Sequence, residues 1–133
     1  MASLKEFLRQ QKESAGHSLQ VNIGGRLKDY EFSIRALSYA EYSEIQQGAA
    51  TVSAKGRVQI NGAWLYEKIV LTCCLEPDFA HVDFLEENGC RTPGELLHAL
   101  LKPGEVVELG KRIQRISGFD QDFEELVEEA KNA

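Results

Sequence analysis

The chain has 133 residues, is 43% hydrophobic, and sets 15 basic against 21 acidic side chains for a formal charge of −6. That length fits one domain of the usual ~100–200 residues, able to bury roughly two-thirds of its unfolded surface without disulfide or metal staples. The acidic balance argues against a nucleic-acid-binding module, which needs clustered Lys and Arg. No run approaches the ~18 apolar residues of a membrane span, and the charged start MASLKEFLRQQ lacks a signal-peptide core.

Three cysteines, Cys73, Cys74 and Cys90, form neither a CxxC pair nor a zinc spacing. An odd count without a signal peptide fits a reducing cytoplasm. Cys73 and Cys74 lie in the apolar run Ile69-Val70-Leu71-Thr72-Cys73-Cys74-Leu75, where free Cys behaves as a small hydrophobe.

In chain order, Ser3 and Glu6 have the spacing of a capping box, and Leu4, Phe7 and Leu8 trace a narrow apolar face. A short amphipathic helix is expected at about 4–14, its stripe packing on its own domain or on a partner. Gly16 ends it. Leu19, Val21, Ile23 and Leu27, then Tyr30, Phe32, Ile34 and Ala36, alternate with polar residues and predict two half-buried strands. A turn at Gly24-Gly25 has suitable residues but would put Arg26 and Lys28 on the apolar face. A turn at Lys28-Asp29, pairing Leu27 with Tyr30, Ile23 with Ile34 and Val21 with Ala36, keeps the faces in phase. It is the register expected here, with Gly24 and Gly25 marking a bulge or bend.

Ser38 and Glu41 repeat the capping spacing for a helix at about 39–47. From Gly48 to Gly62 the chain is small and polar, either a flexible loop or, at Val58 and Ile60, a short strand. Residues 63–75 (AWLYEKIVLTCCL) are apolar nearly all round, which assigns a helix to the centre of the core, closed by Pro77. Helices follow at about 82–88, from the Thr92-Pro93-Gly94-Glu95 cap, and from Pro103-Gly104-Glu105 to Gly118. A last helix, Asp120 to Lys131, has Phe123, Leu126, Val127 and Ala130 on one face and acids on the other. The fold class is α+β: a single, predominantly helical domain spanning 1–133, with one small antiparallel hairpin near the N-terminus.

No chemistry assembles from these residues. His17, His81 and His98 are scattered, and Cys74, His81 and Asp78 suggest a thiol site only if a buried helix exposed its sulfur. The glycines make no phosphate loop, and the paired Glu residues lack calcium-loop spacing. Catalytic, cofactor-binding and metal residues are therefore expected to be none, and the chain is read as not an enzyme. The interface expected is the face of Phe119, Phe123, Leu126 and Val127.

From Cys74 onward a pattern accumulates: Leu75-Glu76-Pro77-Asp78-Phe79, Leu85, Gly89, Leu96-Leu97, Leu101-Lys102-Pro103-Gly104-Glu105, then Ile113, Ile116 and Ser117-Gly118-Phe119-Asp120. With Ser3-Leu4-Lys5-Glu6-Phe7-Leu8, Arg26-Leu27-Lys28-Asp29 and Ile34-Arg35-Ala36-Leu37-Ser38, it resembles the XkdN-like tail assembly chaperone family of tailed bacteriophages. The Gly48–Gly62 segment carries little of the likeness. The resemblance implies a non-enzymatic chaperone that binds the tape measure protein, and possibly meets the tail tube protein. It would keep the tape measure soluble in the host bacterial cytoplasm and be absent from the mature virion, with no cofactor, nucleic acid or membrane. The competing expectation is a minor structural tail protein retained in the particle.

Overall fold

The chain runs α1 (Leu4–Glu13), β1 (Leu19–Val21), β2 (Phe32–Ile34), α2 (Tyr39–Ala49), β3 (Ala50–Val52), β4 (Val58–Ile60), α3 (Gly62–Cys73), β5 (Cys74–Glu76), α4 (Val82–Glu87), α5 (Pro93–Leu100) and α6 (Pro103–Ile116). This is a computed structural model, and it describes residues 3–13, 18–52 and 54–119. It is α+β with helix dominant, as expected.

Local chemistry sets most helix boundaries. The Ser3 and Thr92 hydroxyls accept from the backbone N–H groups of Glu6 and Glu95, each at 3.2 Å. Ser38 and Glu41 form the full reciprocal box. Asn61 caps α3 by accepting from the Trp64 N–H. At the other end of the fold, α6 stops in a Schellman turn. Gly118 has φ +97°, its N–H donates to the Arg115 carbonyl, and the Phe119 N–H donates to the Gln114 carbonyl.

The core is organised around α3, whose Leu65, Tyr66, Ile69, Val70 and Cys73 are all buried. Helix α6 covers it with Val106, Leu109 and Ile113, α5 with Leu96 and Leu97, α2 with Ile45 and Ala49, and β2 with Phe32 and Ile34. Two glycines let the helices approach this closely. A Cβ on Gly110 of α6 would sit 2.7 Å from Tyr66 Cδ1, and one on Gly48 of α2 would run into the Trp64 ring. Among the described residues every buried side-chain nitrogen or oxygen has a hydrogen-bond partner.

The strands differ from the sequence expectation in three ways. First, β1 and β2 do pair antiparallel, but Leu19 faces Ile34 and Val21 faces Phe32. The pairing expected from a Lys28-Asp29 turn is thus displaced by four residues, an even shift that keeps the apolar faces in phase. The connection is longer than a tight hairpin. It bends at Gly24 and Gly25, both at positive φ, and makes a 3-10 turn over Gly25–Leu27. Tertiary bonds hold it: Arg26 grips Glu105 at the start of α6 through two contacts of 2.7 Å and donates to the Leu100 carbonyl.

Second, the helix expected over 63–75 ends at Cys73, and residues 74–76 become β5, a third strand on the far side of β2. The cause is long-range. The Arg35 guanidinium donates to the Thr72 carbonyl at 2.9 Å and its backbone N–H to the Cys73 carbonyl at 3.0 Å. These occupy acceptors that the last turn of α3 leaves open. Third, of the two readings left open for 48–62, the structure contains the strand at Val58–Ile60 and adds its partner Ala50–Val52, with Val52 opposite Val58. The single expected hairpin is therefore a three-stranded sheet, β1-β2-β5, plus a separate two-stranded one.

Arg35 also pairs bidentately with Glu41 at 2.8 Å, joining the exit of β2 to α2 and α3. That hydrogen-bonded guanidinium holds the Glu41 carboxyl at about 2, well below its usual range. A carboxylate with a lowered folded pKa stabilises the fold above its ordinary pKa and loses that contribution as pH falls towards the folded value. Glu41→Gln is accordingly expected to cost about 1 kcal/mol at pH 7, a partly exposed pair being screened by solvent. The difference from the parent should shrink between roughly pH 4.5 and pH 2, as urea unfolding of both chains across that range would read. Gly110→Ala is expected to destabilise by about 1–3 kcal/mol through overpacking against Tyr66. Gly94→Ala, with open space around it, should be neutral or slightly stabilising. Paired denaturation curves check both.

Candidate functional site

The fold does not assemble the residues suggested for chemistry into one reactive site. Cys73 and Cys74 are buried, and burial pushes both thiols up to about 12, so neither is a thiolate at neutral pH. The Cys74 thiol donates to the Pro77 carbonyl at 3.4 Å. Asp78 and His81 instead line a surface cleft of about 410 Å³ with Glu76, Asp83 and Glu87, which Cys74 does not line. His98 of α5 pairs with Glu67 of α3, while His17 lies outside the described residues. Among the described residues no group of three or more His, Cys, Asp and Glu side chains is placed to hold a metal ion. No described helix is long and apolar enough to cross a membrane.

What the fold leaves open is apolar surface. The first such feature is α1. Leu4, Phe7 and Leu8 recur at i, i+3 and i+4, so they share one face, and they are 72%, 53% and 56% exposed. Of the two fates left open for this stripe, packing on its own domain is not what the described residues show. Periodicity identified the face but could not say what lies against it.

The second feature is a cleft of about 300 Å³ where α3 meets the α5–α6 junction. Ala63, Tyr66, Leu101, Pro103, Val106 and Val107 line it, and the Glu67–His98 pair stands at its edge. Such a pocket, apolar with a few polar groups at one side, is shaped for an aliphatic or aromatic side chain. Its walls lie some forty residues apart in sequence, so no local motif announces it. The only early signal was the excess of apolar residues around α3.

The expected interface is divided by the structure. Phe119 is half-buried, its ring 5.2 Å from that of Tyr42, and it forms part of the core's edge. Phe123, Leu126 and Val127 lie outside the described residues.

A chain with this fold and these open apolar faces belongs to the phage XkdN-like tail assembly chaperone family, whose family model matches residues 4–131. That family is not a known enzyme class. The chain is 26% identical to the phage-like element PBSX protein XkdN of Bacillus subtilis (strain 168), over 95% of this chain and 92% of that protein. It is 27% identical to the uncharacterized protein YqbN of the same strain, over 86% of this chain and 83% of that one. The crystal structure of YqbN superposes with a TM-score of 0.62 at 17% identity, covering 90% of this chain and 99% of that one. At that identity the likeness speaks for the fold.

Because α1 exposes its stripe, polar substitution there should spare the core. Leu4→Ser with Phe7→Ser is expected to move the unfolding free energy of the core by less than about 0.5 kcal/mol. Leu65→Ala, in the buried face of α3, should cost about 2–5 kcal/mol in the same denaturation experiment.

Proposed function

We propose that this chain binds the tape measure protein of its phage and keeps it soluble while the tail tube polymerises around it. It acts without catalysis in the host bacterial cytoplasm and leaves before the virion is complete. The observation that carries this reading is the bare face of Leu4, Phe7 and Leu8 on α1, in a chain of the tail assembly chaperone family. A long helical protein with uncovered apolar stripes aggregates, and a helix of the same period is a natural cover for it. The cleft beside α6 supplies an anchor point for one large side chain. The face of Phe119, Phe123, Leu126 and Val127 is a second contact in this proposal, with the tail tube protein as a further partner. Small apolar faces make for modest affinity, and a chaperone that must be displaced by polymerising subunits needs to let go.

The test is co-expression with the tape measure protein encoded by the same phage, followed by size exclusion of the soluble fraction. The expected result is a tape measure that is soluble only with this chain and co-elutes with it, and that precipitates when Phe7 and Leu8 are both changed to Asp. A tape measure that stays insoluble beside the folded chain overturns the reading. Mass spectrometry of purified particles then addresses the alternative role as a retained minor tail protein, since a chaperone should be missing from them.

A further inference from the structure

Helix α1 is one-sided in charge as well as in polarity. At ~100° per residue, Lys5 and Arg9 form an i, i+4 row beside Leu8, along one border of the apolar stripe. The other border, beside Phe7, carries the neutral Gln10, and Glu6 lies opposite the stripe. Residues 3–10 are all exposed, so the stripe and its basic row face solvent together. In the body of the fold, by contrast, Arg26, Arg35 and Arg112 each meet a carboxylate of the same chain, at Glu105, Glu41 and Glu108. With a formal charge of −6, the protein as a whole repels acidic partners, and this row attracts them.

A stripe of three apolar residues offers any amphipathic helix the same apolar contact. The sign of the charges along the seam is what discriminates, as it does between paired helices generally. A helix bordered by Lys or Arg would set like charges against Lys5 and Arg9, and one bordered by Asp or Glu would pair with them.

We infer that the segment α1 receives is an amphipathic helix whose apolar stripe is bordered on one side by acidic residues, which lie against Lys5 and Arg9. The inference rests on the proposed function and narrows it: of the apolar stripes along a tape measure protein, this chain covers those with an acidic border. A second copy of α1 fits less well. Packed antiparallel, it sets Lys5 and Arg9 against their own kind; packed parallel, it sets them against Gln10 and gains no ion pair. An anionic bilayer would attract the row too, but three apolar side chains on ten residues give it little to hold by insertion.

The test uses the isolated full-length chain and two synthetic helical peptides with the same apolar stripe, bordered on one side by glutamates in the first and by lysines in the second. The glutamate peptide is expected to bind about fivefold or more tightly, as two exposed opposite-charge pairs set against two like-charge ones should give. It should shift the amide resonances of residues 4–10 and leave those of α3 in place. Lys5→Glu with Arg9→Glu should invert the preference without moving the urea midpoint, and ~1 M salt should erase it. Leu4→Ser with Phe7→Ser should weaken both peptides alike. Equal binding of the two peptides, binding of neither, or a preference that survives the charge reversal overturns the inference. So does sedimentation with phosphatidylserine vesicles that the reversal abolishes, which makes a lipid surface the occupant, or dimerisation that it alters, which makes a second copy the occupant. Co-expression separates this inference from the reading beneath it. A tape measure kept soluble equally by the parent and the charge-reversed chain strikes the acidic border and leaves the proposed function. A tape measure that the parent cannot keep soluble strikes the proposed function, and the peptide comparison still decides the preference of α1.

Discussion

Everything in this structure follows from burying a helix that is apolar around most of its circumference. With Leu65, Tyr66, Ile69, Val70 and Cys73 all out of water, α3 demands neighbours everywhere but at Ala63 and Lys68, which stay exposed. A chain this short can supply them only by letting helices approach backbone to ring. Gly110 under Tyr66 and Gly48 under Trp64 are the places where that happens. The sheet is a consequence. Its strands are three residues long, too short to stand alone, and β2 is held because Phe32 and Ile34 complete the cover over α3.

Three bonded clusters turn this packing into one body. Arg35 serves Glu41, the Ala36 carbonyl and the Thr72 carbonyl. Arg26 serves Glu105 and the Leu100 carbonyl. Ser117 bridges Leu37 and Ile113. Each joins segments that local propensity could not connect. Their side chains are partly exposed, so their individual contributions are modest; their value is geometric, fixing where strands begin and where helices stop.

That division explains what was legible in the sequence. Caps and prolines are local chemistry, and the Ser38–Glu41 box, the Thr92 cap, the Pro93 and Pro103 starts and the Gly118 stop could all be read from neighbours in the chain. The hairpin register could not. Gly24-Gly25 and Lys28-Asp29 both look like turns, and the true connection is held by local bonds from Asn22 together with Glu105, seventy-nine residues from Arg26. The third strand was equally hidden, because Cys74–Glu76 is strand only in the presence of β2. The stripe of α1 was visible as a pattern, yet core-facing and partner-facing stripes have the same period. The cleft between α3 and the α5–α6 junction exists only once distant elements meet. The family resemblance succeeded where these readings stopped, since the order of many small turn-and-cap motifs is far more specific than any one of them.

The switch from helix to strand between Cys73 and Cys74 leaves two adjacent thiols with different guardians. Cys73 is the last residue of α3 and is sealed by the packing of the helices, whereas Cys74 opens β5 and is covered by the β2 pairing and the Pro77 carbonyl. A small alkylating reagent reaches the first only when the helical core parts and the second as soon as the edge strand peels away. Once the half-buried Cys90 is replaced by serine, these neighbouring thiols act as a pair of stopwatches, and the ratio of species modified at Cys73 or at Cys74 orders the loosening of core and sheet.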